Sequence, residues 1–530
     1  MKRCWRWDDR VIAIMLALVA AAVLIATAPQ IGVTWDEGGY ISAAHSYVAW
    51  FQELVKHPAQ AFQPDVIDRY WTVNHQHPPV EKVWSGLVWL AARNVFDELT
   101  ANRLGDILMV AILVGLIYWM VAEAYGRAAG IFAAATLMLL PRFFFHAHLA
   151  ALDVPVAVAS FGLTFVFWKT VDCKGWAWGI LWGLAWGLAE AIKLNGDFIP
   201  VALVVWLLLF RRSWKGVLRL TLMGLVGVAT FFIVWPWLYY HPWERIVNYV
   251  AFHLNHYQIG QWYLGQFHLP PPWHFVFVML WAVLPLSVIA LIVLGIIKGI
   301  NSKQDGGLVW LLILGAFVSI SPFVFGQGLV YDNERLFMPV FPFLAALAGI
   351  GFGWLAKYLG KLLDYLKRPA YTAPAVILLG IALLMPQMTS IVKLYPHLLS
   401  YYSEDVGGLP GATKLGLETT YWCESYGSAL PYINTLAKPG DTIWVEPWSF
   451  VVLKYYQEIG LLRPDLVVLR MQTGQFVDDA DWYIFQFRQS QYGFGGEEGY
   501  RPYQVLKAQT PVYQVSYQGV PIMRLYSALR

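Results

Sequence analysis

Long uninterrupted apolar runs decide most of what this chain can fold into. A membrane-spanning helix needs about 20 consecutive apolar residues, because a helix satisfies its own backbone polar groups inside hydrocarbon. Runs of this kind lie near residues 11–29, 104–122, 126–141, 150–168, 176–192, 197–210, 217–238, 273–297, 307–326, 336–356 and 371–389. They predict a mainly α, polytopic membrane protein with about eleven transmembrane helices. Charge content points the same way: 13% of the 530 residues are charged and 58% hydrophobic, whereas a soluble domain carries roughly a quarter charged residues. The 27 Trp and 29 Tyr suit aromatic belts at the two interfaces. A net charge of +3 leaves no basic surface for nucleic acid.

Positive charge orients the bundle. With the N-terminus cytoplasmic, the short inner loops collect Arg211, Arg212, Lys215 and Arg219, then Lys357, Lys361, Lys367 and Arg368, as the positive-inside rule requires. The expected setting is a plasma (inner) membrane with the C-terminus outside. All twelve histidines then fall on the outer side. So do Arg103, Asp106, Asp153, Glu190, Lys193, Asp197, Glu334 and Arg335, near helix ends. Ionisable groups at membrane depth are costly unless paired or hydrated, so a one-sided set marks a wet functional cavity; taken singly, each is equally a snorkelling interface residue.

Two regions lie outside the spans. The first outer loop, 30–102, carries two amphipathic helical patterns, ISAAHSYVAWFQELV and VEKVWSGLVWLAARNVF. The division expected is a transmembrane domain over 1–392 and an extracytoplasmic α/β domain over 393–530. In the latter, DTIWVEP, DLVVLRM and DWYIFQF read as strands, with helices between them and a terminal hairpin, PVYQVSYQG–VPIMRLY. Strands alternating with helices imply a mainly parallel sheet.

The residues with chemistry sit beside the apolar runs. TWDEGGY (34–40) places Asp36, Glu37 and Tyr40 at the exit of the first span. Its two glycines permit a sharp turn and close approach of a ligand. A carboxylate at the edge of an apolar bundle suits a general base, and equally a helix cap. HQHPPVEK (75–82) brings His75, His77 and Lys82. PRFFFHAHLAALDVP brings Asp153, and EAIKLNGD brings Lys193 and Asn195. Lys193 is spaced to pair with Glu190, and Arg335 with Asp332. His75 and His77 are possible ligands of a divalent metal, although i, i+2 spacing on a loop is weak ligand geometry.

Together these motifs resemble the polyprenyl-phosphate-dependent glycosyltransferases of the GT-C fold class, in the branch of protein O-mannosyltransferases and the lipid A aminoarabinose transferase. The resemblance rests on Asp36–Glu37, His77–Pro78–Pro79, Asp153, the Lys193–Gly196 turn, ERLFMPVFPFLAALAG, YPHLLSYYSEDVGG, and Glu418 with TTYW. The tail lacks the length of a repeat-bearing domain, and His-Pro-Pro stands where the aminoarabinose enzyme has Glu-Lys-Pro. The resemblance implies transfer of a sugar from a polyprenyl-phosphate donor to a hydroxyl of a glycan, lipid or protein acceptor, with inversion. It implies Asp36 as base, with Glu37 and Asp153 assisting. Lys193, Arg335, Lys82 and Arg103 would hold the donor phosphate, and His77, Tyr40 and Asn195 would line the substrate site. No cofactor beyond a possible metal is implied. The competing expectation is a flippase or transporter of lipid-linked sugars; such proteins show inverted repeats and charges near the midplane, and neither pattern is visible.

Overall fold

The computed structural model describes residues 7–255, 259–300, 302, 307–325, 330–470 and 479–528, except the side chains of 7, 195 and 197. Each predicted apolar run lies on helix. Among the described residues, six helices are long and apolar enough to cross a membrane alone: Asp8–Gln30, Glu98–Tyr125, Trp214–Ile233, Leu308–Phe325, Val340–Tyr365 and Pro369–Leu394. Phe275–Val283 and Leu286–Gly299, bent by 114°, pass the same test as a pair. The break falls where Pro285 removes a backbone donor. The other runs form shorter helices, among them Arg127–Leu139 and Ile199–Phe210. The protein is thus multi-pass.

Small residues let the helices approach closely. A Cβ on Gly351 would lie 2.0 Å from the Leu291 carbonyl oxygen, and one on Gly295 2.2 Å from that of Leu347. The Leu286–Gly299 and Val340–Tyr365 helices therefore touch backbone to backbone, as close packing inside a membrane favours. In the first outer loop, helices Glu37–Lys56 and Val80–Ala92 occupy the two amphipathic patterns. The expected sharp turn at Gly38–Gly39 is absent: helix runs through both, and a Cβ on Gly39 would meet nothing within 4 Å.

The strands are β1 (Gln261–Tyr263), β2 (Gln266–His268), β3 (Thr442–Glu446), β4 (Val467–Val468), β5 (Trp482–Gln486), β6 (Tyr513–Tyr517) and β7 (Val520–Ser527). β1 and β2 form a small hairpin between helices Pro242–Leu254 and Phe275–Val283; too few residues alternate there for a strand pattern to stand out. The C-terminal sheet has the order β4-β3-β5-β7-β6. β3 runs parallel to β4 and β5, whereas the terminal hairpin β6–β7 joins β5 antiparallel. The central strand β5 is buried at every position, which explains its unbroken Trp-Tyr-Ile-Phe run. This unit is stitched to the helices: the Ser403 amide donates to the Ala282 carbonyl (2.8 Å) and the Gly265 amide to that of Gly416 (2.9 Å).

Candidate active site

Four helix ends deliver charge to one point. Asp36 stands at the N-cap position of helix Glu37–Lys56 with its side chain making no capping bond, Asp153 opens helix Asp153–Thr170, Lys193 precedes the turn Leu194–Phe198, and Arg335 opens a turn before Val340–Tyr365. The Arg335 guanidinium is the hub. Its Nε donates to Asp153 Oδ2 (3.0 Å), Nη1 to Asp332 Oδ2 (2.7 Å) and Nη2 to Asp36 Oδ2 (2.5 Å). Lys193 Nζ holds the other Asp153 oxygen at 2.5 Å. Of the two local pairings expected from spacing, Arg335–Asp332 is present, but within a larger set; Lys193 turns to Asp153. The Trp422 ring covers Arg335, its centroid 4.1 Å from the guanidinium carbon.

Asp36 is the accessible member. Its side chain is 30% exposed, against 3% for Asp153 and 5% for Asp332. Tyr40 is buried on the helix that follows Asp36, and proximity to Asp36 adds to burial in raising its phenol pKa. His77 lies 5.8 Å from the Tyr40 ring and 5.9 Å from that of His253. Its Nδ1 has no partner among the described residues. Burial, then the Lys82 charge, hold its pKa well below the ordinary histidine value, so it is a neutral donor and acceptor. The Asn195 side chain lies outside the described residues.

Four expected site residues turn elsewhere. Glu37 and Arg103, both 0% exposed, form a closed clamp: Arg103 Nε meets Oε1 at 2.7 Å and Nη2 meets Oε2 at 2.8 Å. The remaining Arg103 donors bind the carbonyls of Ala28, Ile31 and Gly32. All five N–H groups of that guanidinium are used, leaving none for a donor phosphate. Lys82 is buried too, donating to the Asn74 carbonyl and Oδ1 (3.0 Å each) and to the His77 carbonyl (2.7 Å). Burial pushes its pKa down to about 7. It secures the His77 loop from beneath and faces no open site. His75 turns to the Thr72 carbonyl (2.7 Å) and Trp237. Among the described residues, no three His, Cys, Asp or Glu side chains are grouped to hold a metal.

Sequence reasoning missed a second layer. Arg142 Nη1 pairs with Glu334 Oε2 at 2.6 Å, and the Tyr421 hydroxyl donates to the other Glu334 oxygen at 3.0 Å. Arg488, just past β5, donates from Nη2 to Asp332 Oδ1 at 2.6 Å. A charge buried beside an apolar run was the available signal for Arg142. For Arg488 there was none, because its partner lies 156 positions away.

The comparisons with known proteins fit this geometry. The family Dolichyl-phosphate-mannose-protein mannosyltransferase matches residues 76–240, which carry His77, Asp153 and Lys193. No curated protein matches the chain in sequence. Among solved structures, ArnT from Cupriavidus metallidurans in the apo state superposes with TM-score 0.50 at 15% identity, covering 97% of each chain. The same protein bound to undecaprenyl phosphate gives 0.52 at 16% identity, again with 97% of each chain covered. The chain therefore has the GT-C fold of ArnT, and its resemblance to the polyprenyl-phosphate glycosyltransferases, first visible in its motifs, extends over nearly its full length as fold and over residues 76–240 as sequence.

Proposed function

We propose that this protein is a membrane glycosyltransferase that moves a sugar from a polyprenyl-phosphate donor to an acceptor hydroxyl at the outer face of the inner membrane. The N-terminus is cytoplasmic and the C-terminal domain lies outside. The observation that carries this reading is the Arg335 hub: a buried cation shared by three carboxylates, one of them accessible, beside Lys193. ArnT, which shares the fold, binds undecaprenyl phosphate, and the family matched at 76–240 is named for a dolichyl-phosphate sugar.

The donor phosphate is an anion arriving where Arg335 already holds anions. One carboxylate must give way, and Asp36, the most exposed of the three, is the one able to. Donor binding thus does two things. It places the phosphate against Arg335 and Lys193, and it frees the Asp36 carboxylate to take the acceptor proton. The acceptor oxygen then forms a bond to the anomeric carbon as the bond to the phosphate oxygen breaks. The bonding pair leaves with the polyprenyl phosphate, whose growing charge the two cations stabilise. Attack opposite the leaving group inverts the anomeric configuration in one step. Asp153 orients both cations, while Tyr40 and His77 line the sugar and acceptor side. Glu37, Arg103 and Lys82 hold the surrounding backbone.

The test supplies purified protein with synthetic undecaprenyl-phosphate sugars and mixed acceptors. Release of undecaprenyl phosphate with a glycosylated acceptor of inverted configuration is expected. Intact donor that merely changes leaflet would overturn the proposal in favour of a flippase.

A further inference from the structure

We infer that the C-terminal domain is a working part of the transfer site: Arg488, acting through Asp332, positions Arg335 and sets how much of its charge is left for substrate. The inference rests on the reading of Arg335 as the donor-phosphate ligand.

The physical basis is an alternating chain of charges. Lys193, Asp153, Arg335, Asp332 and Arg488 follow one another through contacts of 2.5, 3.0, 2.7 and 2.6 Å, with Asp36 branching from Arg335. Arg335, Asp332 and Arg488 are each only 5% exposed, so water screens none of them well. Asp332 is shared. Its Oδ2 faces Arg335, in the membrane part, and its Oδ1 faces Arg488, in the sheet domain. Without Arg488, the full Asp332 charge would fall on Arg335 alone, drawing it from Asp36 and neutralising it toward a phosphate.

The loop carrying Asp332 takes a backbone shape that needs outside support. Asp332 and Asn333 have φ of 55° and 54°, a left-handed conformation that non-glycine residues adopt only when their surroundings enforce it. Both are gripped from outside the loop. The Asn333 amide donates to Gln261 Oε1, and Gln261 Nε2 returns a bond to Asn333 Oδ1, both at 3.1 Å. Arg488 is braced in turn: its Nε donates to Ser490 Oγ at 3.1 Å, and the Ser490 amide donates to Glu418 Oε1 at 2.8 Å. Glu418 Oε2 closes the loop by accepting from Gln261 Nε2 at 3.2 Å. Strand β5 thus ends in a rigid frame whose one projecting charge meets Asp332. Arg488 is a positioning residue; it touches neither substrate nor Asp36.

A double-mutant cycle tests this with the full-length protein in nanodiscs, using undecaprenyl-phosphate sugar and an accepted hydroxyl. R488M is expected to lower kcat at least tenfold while the acceptor KM stays within twofold. D332N keeps an acceptor oxygen for Arg335 and is expected to lower kcat severalfold. In that neutral background, adding R488M should change kcat by no more than twofold, because the inferred effect on Arg335 runs through the Asp332 carboxylate, while Glu418, 4.0 Å from Arg488, keeps its bonds from the Ser490 amide and Gln261. A role confined to docking the domain would make R488M equally damaging in both backgrounds, and that result overturns the inference. So does wild-type kcat in R488M. Should R488M fail to fold, D332N and D332N/R488M are compared directly: equal kcat supports the coupling, and a tenfold difference overturns it. If the wild-type protein transfers no sugar from any polyprenyl-phosphate donor, the proposed function itself has failed, a result distinct from either failure of the cycle.

Discussion

Asp36→Asn and Glu37→Gln each replace one carboxylate oxygen in adjacent residues, and opposite consequences are expected. Glu37 is fully buried against Arg103 through two contacts, 2.7 and 2.8 Å long. Its Oε1 also accepts from the Ala150 amide and its Oε2 from the Thr34 amide, both at 3.2 Å. Glu37→Gln keeps the shape and one acceptor oxygen but leaves the Arg103 charge buried without its counter-charge. Removing one partner of a buried pair costs about 3–5 kcal/mol. At about 2 °C per kcal/mol for a large domain, the melting temperature falls by about 6–10 °C at most. Asp36 is partly exposed, and an asparagine there keeps an oxygen for Arg335 Nη2, so Asp36→Asn costs at most about 1 kcal/mol of stability. Its effect is on turnover, lowered by about 10²–10⁴, the usual contribution of a general base. Melting is followed by tryptophan fluorescence in nanodiscs, and turnover by undecaprenyl phosphate released per folded protein at a temperature where both variants are native. Wild-type turnover in Asp36→Asn, or wild-type melting in Glu37→Gln, refutes the division of roles.

Three further outcomes are expected. Lys193→Ala removes a charge-assisted hydrogen bond worth about 1.5–3 kcal/mol, so undecaprenyl phosphate should bind at least tenfold more weakly; unchanged affinity in a titration would reduce Lys193 to a structural partner of Asp153. Burial raises the pKa of Glu446, at the end of β3, to about 7. The folded state then binds a proton that the unfolded state has lost above about 4.5, so the sheet loses stability as pH rises through this window, by up to about 3 kcal/mol. Hydrogen exchange of β3 and β5 should accelerate from pH 5 to pH 8 beyond its intrinsic increase, and Glu446→Gln should abolish that excess. Gly351→Ala drives a methyl into the Leu291 carbonyl and should cost about 1–3 kcal/mol as overpacking; an unshifted melting curve would show that the helix pair separates freely.

The sequence disclosed what is local and concealed what depends on direction. Apolar runs, amphipathic helices and β3 to β7 were legible because each is written in a few consecutive residues. The bend between Phe275–Val283 and Leu286–Gly299 was not, because an apolar run reads the same straight or broken. Asp36, Asp153, Lys193 and Arg335 were found because a charge beside an apolar run needs a reason. What those charges do was harder to read, and the adjacent acids show why. Neighbours in sequence suggest a shared task, yet successive residues of a helix point about 100° apart. Where helix Glu37–Lys56 begins, that rotation sends Asp36 to Arg335 and Glu37 to Arg103. The same logic separates cations of equal formal charge. Lys82 divides its donors among the Asn74 and His77 carbonyls and Asn74 Oδ1, and Arg103 divides its five between the buried Glu37 carboxylate and three backbone carbonyls, so neither has a donor left for a phosphate. Arg335 spends its contacts on carboxylates, the one kind of partner that another anion can displace. On the proposed function, a guanidinium held by carboxylates of which one is exposed can exchange it for a phosphate, and one sealed among buried partners cannot; the distinction lies in the partner atoms and their burial, which no spacing along the chain records.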